Sequence, residues 1–350
     1  MATTTHAESV TSHGGAEAAP IRLDGVTHSY EMKSGSRQAL DALSFAVGRA
    51  EIFGLLGPNG SGKTTLFRIL STLMVPTSGT ARIQDFDVGR EPNKVRQQTG
   101  IVFQARSLDI KLTVRENLKH QGHLYGLKGA LLKTRIREVL TRVGLAERAN
   151  DLVETLSGGQ QRRVELAKGL IHSPQVLLLD EPSTGLDPGA RRDLWLYLKT
   201  LREQEGVTVL VTTHLMEEAE HCDRLAILNE GKLVALGSPA ELKAQIGGDV
   251  VTFETAGEEQ ASRLAGRIAN RFMVAPAVLG AAVRVEREQG HRFVTEVVEA
   301  FPGMVEGVSV AKPSLEDVFI DRTGHRFWNE GEPGEELGGL AEKKPKRGRH

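Results

Sequence analysis

A single cysteine, Cys222, stands in 350 residues, so no disulfide can staple this chain internally, and a reducing compartment is expected. No apolar run approaches the ~20 residues that a bilayer span needs, so any membrane role has to come through a partner. The formal net charge is −1, and no global field draws the chain to nucleic acid. The opening stretch, Met1–Pro20, is rich in Thr, Ala, Gly and His, lacks the apolar core of a signal peptide, and reads as a mobile tail. What is present fits a soluble globular protein: 25% charged and 39% apolar residues. The length is more than one compact domain usually holds, so two folded units with tails are expected.

The most informative stretch is Gly57-Pro58-Asn59-Gly60-Ser61-Gly62-Lys63-Thr64-Thr65. An apolar run, Ile52–Leu56, precedes it, and Leu66-Phe67-Arg68-Ile69-Leu70 follows with its apolar residues spaced for a helix face. Strand, glycine-rich loop and helix in that order make a phosphate site. Glycines let successive backbone N–H groups turn inward, and the helix N-terminus adds its positive dipole end. Lys63 can reach the β- and γ-phosphates and the Thr64 hydroxyl can ligate Mg²⁺. A loop of this kind says nucleoside triphosphate and nothing narrower.

The rest of the chain is read around that loop. Ile21 to Val47 predicts two or three short strands with a hairpin loop at Glu31–Arg37. Tyr30, one of three tyrosines, is either a ring that stacks on a nucleobase or an aromatic covering a sheet edge, and spacing does not decide. Thr80–Ile83 and Ile101–Phe103 read as strands. Gln104 after the latter is either a polar sensor near the nucleotide or a surface amide. From Leu112 to Leu156 the pattern turns helical, an insertion that ends at Thr155-Leu156-Ser157-Gly158-Gly159-Gln160. Ser157 is a candidate N-cap. The paired glycines are either a second anion site without a lysine or a plain capping turn. Val176–Leu179 followed by Asp180-Glu181 reads as a buried parallel strand with carboxylates at its C-terminal end, where open α/β sheets bind ligands. Asp180 can hold Mg²⁺ there, and Glu181 can orient and polarise a water. Val207–Thr213 is a further buried strand and places His214 on the same edge, as a candidate γ-phosphate contact.

After Gly248 the pattern resets to a small α+β unit of ferredoxin-like order with no metal-spaced His/Cys set and no phosphate loop, so a regulatory or docking module is expected. Arg326–His350 is Gly-, Glu- and Lys-rich and is expected to be disordered, with a basic cluster at Lys343–Arg349.

Six motifs in fixed order carry a family resemblance: Gly-Pro-Asn-Gly-Ser-Gly-Lys-Thr-Thr at 57–65, Phe103-Gln104, Leu-Ser-Gly-Gly-Gln at 156–160, Leu-Leu-Leu-Asp-Glu-Pro at 177–182, Ser-Thr-Gly-Leu-Asp at 183–187 and Thr-Thr-His at 212–214. Residues 21 to about 246 thereby resemble the ATP-binding subunit of an ABC transporter. Pro313–Phe319 followed by Thr323-Gly324 is similar to the ending of ABC-2 exporter ATPases of the daunorubicin-resistance type, and Thr72–Gly79 also fits that group.

The resemblance implies an α/β P-loop NTPase of ABC type, a RecA-like core with an antiparallel β subdomain and a helical subdomain. The expected division is a tail at 1–20, the ATPase unit at 21–247 with its helical insertion at about 105–160, the accessory α+β unit at 248–324 and a basic-ended tail at 325–350. It further implies that Tyr30 stacks on adenine, and that Gly57, Pro58, Asn59, Gly60, Ser61, Gly62, Lys63, Thr64 and Thr65 bind ATP. Thr64 and Gln104 would hold Mg²⁺ with Asp180 in support, Glu181 would be the general base, and His214 would contact the γ-phosphate. Ser157, Gly158, Gly159 and Gln160 would complete the site of a second copy. The expected partners are that second copy and a separate ABC-2 type integral membrane permease, with no nucleic acid. The expected place is the cytoplasmic face of the membrane, exporting a drug, antibiotic or other hydrophobic compound. A rival expectation is a soluble ABC-type ATPase acting on ribosomes or nucleic acid.

Overall fold

Two runs of alternating apolar residues open the described part of the chain and pair along their whole length. In the computed structural model, which describes residues 19–32, 35–325 and 327, these are β1 (Ile21–Met32) and β2 (Gly35–Val47). The hairpin loop expected at Glu31–Arg37 is shorter than that, because Tyr30, Glu31 and Met32 pair with Arg37, Ser36 and Gly35. The expected short strands are two long ones for the same reason. With β4 (Ser78–Ile83) and β5 (Phe86–Asp87) they form an antiparallel sheet in the order β2-β1-β4-β5.

The second sheet carries the site. It is built from β3 (Ile52–Leu56), β6 (Thr99–Val102), β7 (Val176–Asp180), β8 (Thr208–Thr213), β9 (Arg224–Asn229) and β10 (Lys232–Gly237) in the order β10-β9-β3-β8-β7-β6. All neighbours are parallel except β10 with β9. Every residue of β3, β7 and β8 is buried, as continuous apolar runs in a two-sided parallel sheet must be. On one face lie α1 (Lys63–Leu70) and the antiparallel sheet, their core including the stacked rings of Phe45 and Phe53. A short helix missed in the sequence, α2 (Pro92–Gln98), leads into β6.

The other face is covered by helices. These are α3 (Val114–Leu124), α4 (Gly129–Arg142), α5 (Gly158–Leu170) and α6 (Pro188–Glu205), and their apolar residues join those of β3, β7 and β8 in one cluster. Helix α5 lies hard against β6. A Cβ at Gly100 would fall 2.3 Å from the Gly169 carbonyl oxygen. Short α7 (Met216–Ala219) and α8 (Pro239–Ala244) close this part of the chain.

Residues from β11 (Asp249–Glu254) onward form a third sheet with β12 (Ala277–Leu279), β13 (Ala282–Arg287) and β14 (Gly307–Ala311). Its order, β12-β13-β11-β14, all antiparallel, is the ferredoxin-like arrangement expected from the element order. β12 and β13 are separated by a turn at Gly280, which takes φ +61°. Helices α9 (Glu258–Phe272) and α10 (Gly290–Ala300) bury their apolar stripes on one face of this sheet. The last helix, α11 (Leu315–Thr323), leaves that unit and packs back: Leu315, Val318 and Phe319 join Leu56, Ile227, Leu242 and Ile246 in one apolar cluster. The packing continues past the boundary expected at 324, because Phe327 belongs to the same cluster. The basic run at Lys343–Arg349 and the opening tail, apart from residues 19 and 20, lie outside the described residues.

Phe319 is fully buried where the two parts meet. Its replacement by alanine should cost about 3–5 kcal/mol, the usual toll of an emptied aromatic site, read as a shift in the denaturant midpoint. A loss below about 1 kcal/mol, the range of surface substitutions, would show that the cluster does not hold the parts together.

Candidate nucleotide site

Register alone brings the functional loops side by side. Leu56, the last residue of β3, pairs with Thr213 at the end of β8, and Asp180 at the end of β7 pairs with Thr212. The loop after Leu56, the carboxylates at 180 and 181, and His214 therefore all leave one edge of the sheet. That loop, Glu181 and His214 border a cleft of about 650 Å³ that also takes in Tyr30, Arg37, Gln38, Gln104 and Glu230.

The phosphate loop is shaped by glycines that have no room for a side chain. A Cβ at Gly57 would lie 2.5 Å from the Leu228 carbonyl oxygen, and one at Gly62 would lie 2.8 Å from that of Ala39. Gly62 also takes φ +104° where it opens α1, a conformation glycine adopts without steric cost. The first N–H groups of a helix have no intrahelical acceptor, which makes this turn an anion cradle. Lys63 folds over it, its Nζ donating to the carbonyls of Gly57 (2.6 Å) and Pro58 (2.9 Å). Burial lowers the Lys63 ammonium from its ordinary value to about 8, against the opposing pull of Glu181 and Asp180. The Tyr30 hydroxyl is within 3.1 Å of Thr65 Oγ1, and the ring meets His28 edge-on. Arg37, opposite Tyr30 in the β1–β2 register, lines the same cleft. That pairing is hidden in the sequence, where the expected hairpin loop extends over Glu31–Arg37.

Glu181 is where the loops converge. One carboxylate oxygen lies 2.8 Å from His214 Nδ1. The other accepts from Gln104 Nε2 (3.1 Å) and Thr184 Oγ1 (3.3 Å). Burial works to raise this carboxyl, but the hydrogen bond and charge of His214, with Lys63 and Thr184, outweigh it and hold Glu181 below the usual glutamate range. Its backbone takes φ +41°, sparsely populated for a residue with a side chain, and its N–H is held by Thr212. The adjacent Asp180 goes the other way. Burial raises it, although it accepts from Thr212 Oγ1 at 2.6 Å. Two neighbouring carboxyls with divergent environments suit separate tasks.

Ser157 caps α5, its hydroxyl accepting from the Gln160 N–H at 3.3 Å while the Gln160 side chain accepts from the Ser157 N–H. Ser157, Gly158, Gly159 and Gln160 do not line the cleft that holds Lys63. Sequence reasoning also missed the groups behind α5. Buried Arg162 donates to the carbonyls of Phe103 (2.8 Å) and Pro182 (2.7 Å) and to Glu165 (2.7 Å). It ties the helix of the second glycine turn to the segments carrying Gln104 and Glu181. No local spacing signals a contact that joins positions so far apart in the chain.

Comparison with known proteins agrees with this geometry. The model of the ABC transporter family matches residues 40–184. A daunorubicin resistance ATP-binding protein of Streptomyces coeruleorubidus is 38% identical over 315 residues, covering 87% of this chain and 96% of the relative. A linearmycin resistance ATP-binding protein of Bacillus subtilis (strain 168) is 37% identical over 296 residues, covering 83% and 95%. Among solved structures, an ATP-binding cassette in a dimeric post-hydrolysis state, bound to ADP and Pi, superposes with a TM-score of 0.57 at 30% identity, over 62% of this chain and 98% of the other.

The environment of Lys63 makes a pH prediction. The free protein keeps the Lys63 charge below its pKa of about 8 and loses it above. Triphosphate affinity should therefore fall as pH rises through that value, by up to about tenfold per unit. Titration calorimetry checks this, and proton uptake on binding should appear only in the alkaline range. An affinity that stays flat across it would contradict the reading.

Proposed function

From the premise that this chain belongs to the ABC transporter family of ATP-binding proteins, as an ATPase that powers a membrane exporter, we propose a residue-level account of hydrolysis. The observation that carries it is the convergence of Gln104, Thr184 and His214 on Glu181, beside the phosphate loop. Glu181 accepts the proton of the attacking water as general base. Held below the usual glutamate range, it is ionised at neutral pH against the cost of its burial. His214 holds that carboxylate and reaches the γ-phosphate. Lys63 leaves its carbonyl partners to bind phosphate oxygens together with the amides of the loop from Gly57 to Thr65, and Tyr30 stacks on adenine.

The donor set fits Mg²⁺. Thr64, Gln104 and Asp180 offer only oxygen atoms, which a hard cation prefers, and the bond from Gln104 to Glu181 uses its nitrogen. Among the described residues no group of three or more His, Cys, Asp or Glu could hold a metal. The ion would be carried largely by the nucleotide, with these three residues completing its shell. When bound, Mg²⁺ neutralises charge developing on the phosphates.

The chain dimerises and works with a membrane permease. Ser157, Gly158, Gly159 and Gln160 cap a helix outside the Lys63 cleft, and this supports their acting on the ATP of the second copy, as a lid with helix-terminus character but no lysine. The permease is of the ABC-2 type, docked through the region of Gln104–Leu127. The names of the resistance relatives support export of a drug or antibiotic. No helix among the described residues is long and apolar enough to cross a membrane, which fits a peripheral position at the cytoplasmic face.

Glu181→Gln tests the chemistry. Turnover should fall by about 10²- to 10⁴-fold, the range for loss of a general base, while ATP binding persists, and near-normal turnover would overturn the assignment. Site sharing has its own test. Ser157→Arg and Lys63→Ala, each inactive alone, should recover activity when mixed, because a mixed pair retains one intact site. Mixtures as inactive as the parents would exclude sharing.

A further inference from the structure

We propose that Glu218 is a positioning residue for hydrolysis, holding the loop of Glu181 and the loop of His214 at their working separation. The proposal rests on the reading of Glu181 and His214 given above. Glu218 sits on α7 and is 1% exposed. Its two carboxylate oxygens are divided between two segments. One accepts from the hydroxyl of Ser183, two residues beyond Glu181. The other accepts from the hydroxyl of Thr213, the residue before His214, at 2.7 Å. The Thr213 oxygen in turn accepts from the Leu215 N–H at 3.0 Å, so the turn carrying His214 is tied on both sides of the imidazole.

The chemistry calls for a carboxylate at this point. Burying an ionised carboxyl is costly unless it is paired and hydrogen-bonded, and the nearest cation, Arg191, keeps its Nε 3.8 Å away. An apolar side chain would fill the space without that cost. A carboxylate can accept two hydroxyls at once and so fixes the orientation of both. The consequence lies in front of it. The 2.8 Å contact between Glu181 and His214 spans the ends of β7 and β8, whose backbones are paired as far as Asp180 and Thr212 and whose side chains are joined there by the bonds of Thr212 to Asp180 and to the Glu181 N–H. Released from Glu218, Ser183 and the Thr213 side chain lose their shared tie, and the base loses its alignment with the γ-phosphate, while the hydrogen bonds that position Lys63 in the phosphate loop do not involve Glu218.

The test uses the full-length chain and compares ATP turnover of Glu218→Ala, Glu218→Gln, Ser183→Ala and Thr213→Val. Glu218→Ala should lower kcat by about tenfold or more with KM for ATP moved less than about threefold, the signature of an interaction that serves the transition state. Glu218→Gln, which keeps one acceptor oxygen, should recover part of the loss. Adding Ser183→Ala to Glu218→Ala should cost little more, since members of one network are not additive.

A kcat per folded site within about twofold of the parent in Glu218→Ala, with only thermal stability lost, would overturn the proposal. If that variant does not fold, Ser183→Ala and Thr213→Val carry the same test, each removing one arm. Glu181→Gln separates the two claims. Full turnover in it defeats the hydrolysis reading, whereas an inactive Glu181→Gln beside a normal Glu218→Ala defeats the positioning role alone.

Discussion

The hydrogen bonds that gather on Glu181 constrain nearly everything else at the site. A carboxylate at the end of a buried parallel strand is tolerable only because His214, Gln104 and Thr184 share its charge. Those three residues come from three different loops, so their meeting requires β6, β7 and β8 to be adjacent and in one register. The parallel sheet supplies that register, and the left-handed backbone at Glu181 turns the side chain out of the strand direction. Arg162 holds the same loops to α5 from behind. A movement of α5 would therefore be felt at Glu181, and a displacement of Glu181 would be felt by α5.

The C-terminal unit touches the phosphate loop through an intermediary. The turn between β9 and β10 bonds to it directly, the Gly231 N–H donating to the Ser61 carbonyl at 3.1 Å. The outer side of the same strands carries α11, and Asn229 lies 3.3 Å from His325. Buried Arg284 on β13 fastens α11 to its own sheet through Asp317 at 3.2 Å. The α+β unit is thus continuous with the wall that supports the nucleotide cradle.

Local signals made much of this legible in the sequence. The strand–loop–helix around Lys63, the cap at Ser157, the apolar run ending in Asp180-Glu181 and the ferredoxin-like order after Gly248 each follow from spacing within about ten residues, the range where periodicity and capping operate. What stayed hidden is long-range. The full length of the β1–β2 hairpin depends on pairing, and so Arg37 at the cleft was missed. Arg162 and Glu218 look like ordinary charged positions on helices, and only the fold shows that they are buried and which segments they join. Gln104 could be read either way from its neighbours, and only the fold brings its amide nitrogen to 3.1 Å from Glu181.

The central claim is that this cleft is half of a site and that a second copy supplies Ser157 to it. The chain is suited to a direct measurement, because its one native cysteine is buried. Asn59 in the phosphate loop and Ser157 at the head of α5 are both exposed. With Asn59→Cys and Ser157→Cys introduced together, oxidation in the presence of ATP should link two copies through residues 59 and 157, and removal of ATP should abolish the link. A chain that stays monomeric under oxidation with ATP bound, or that links only through two copies of residue 59 or two of residue 157, would contradict the account.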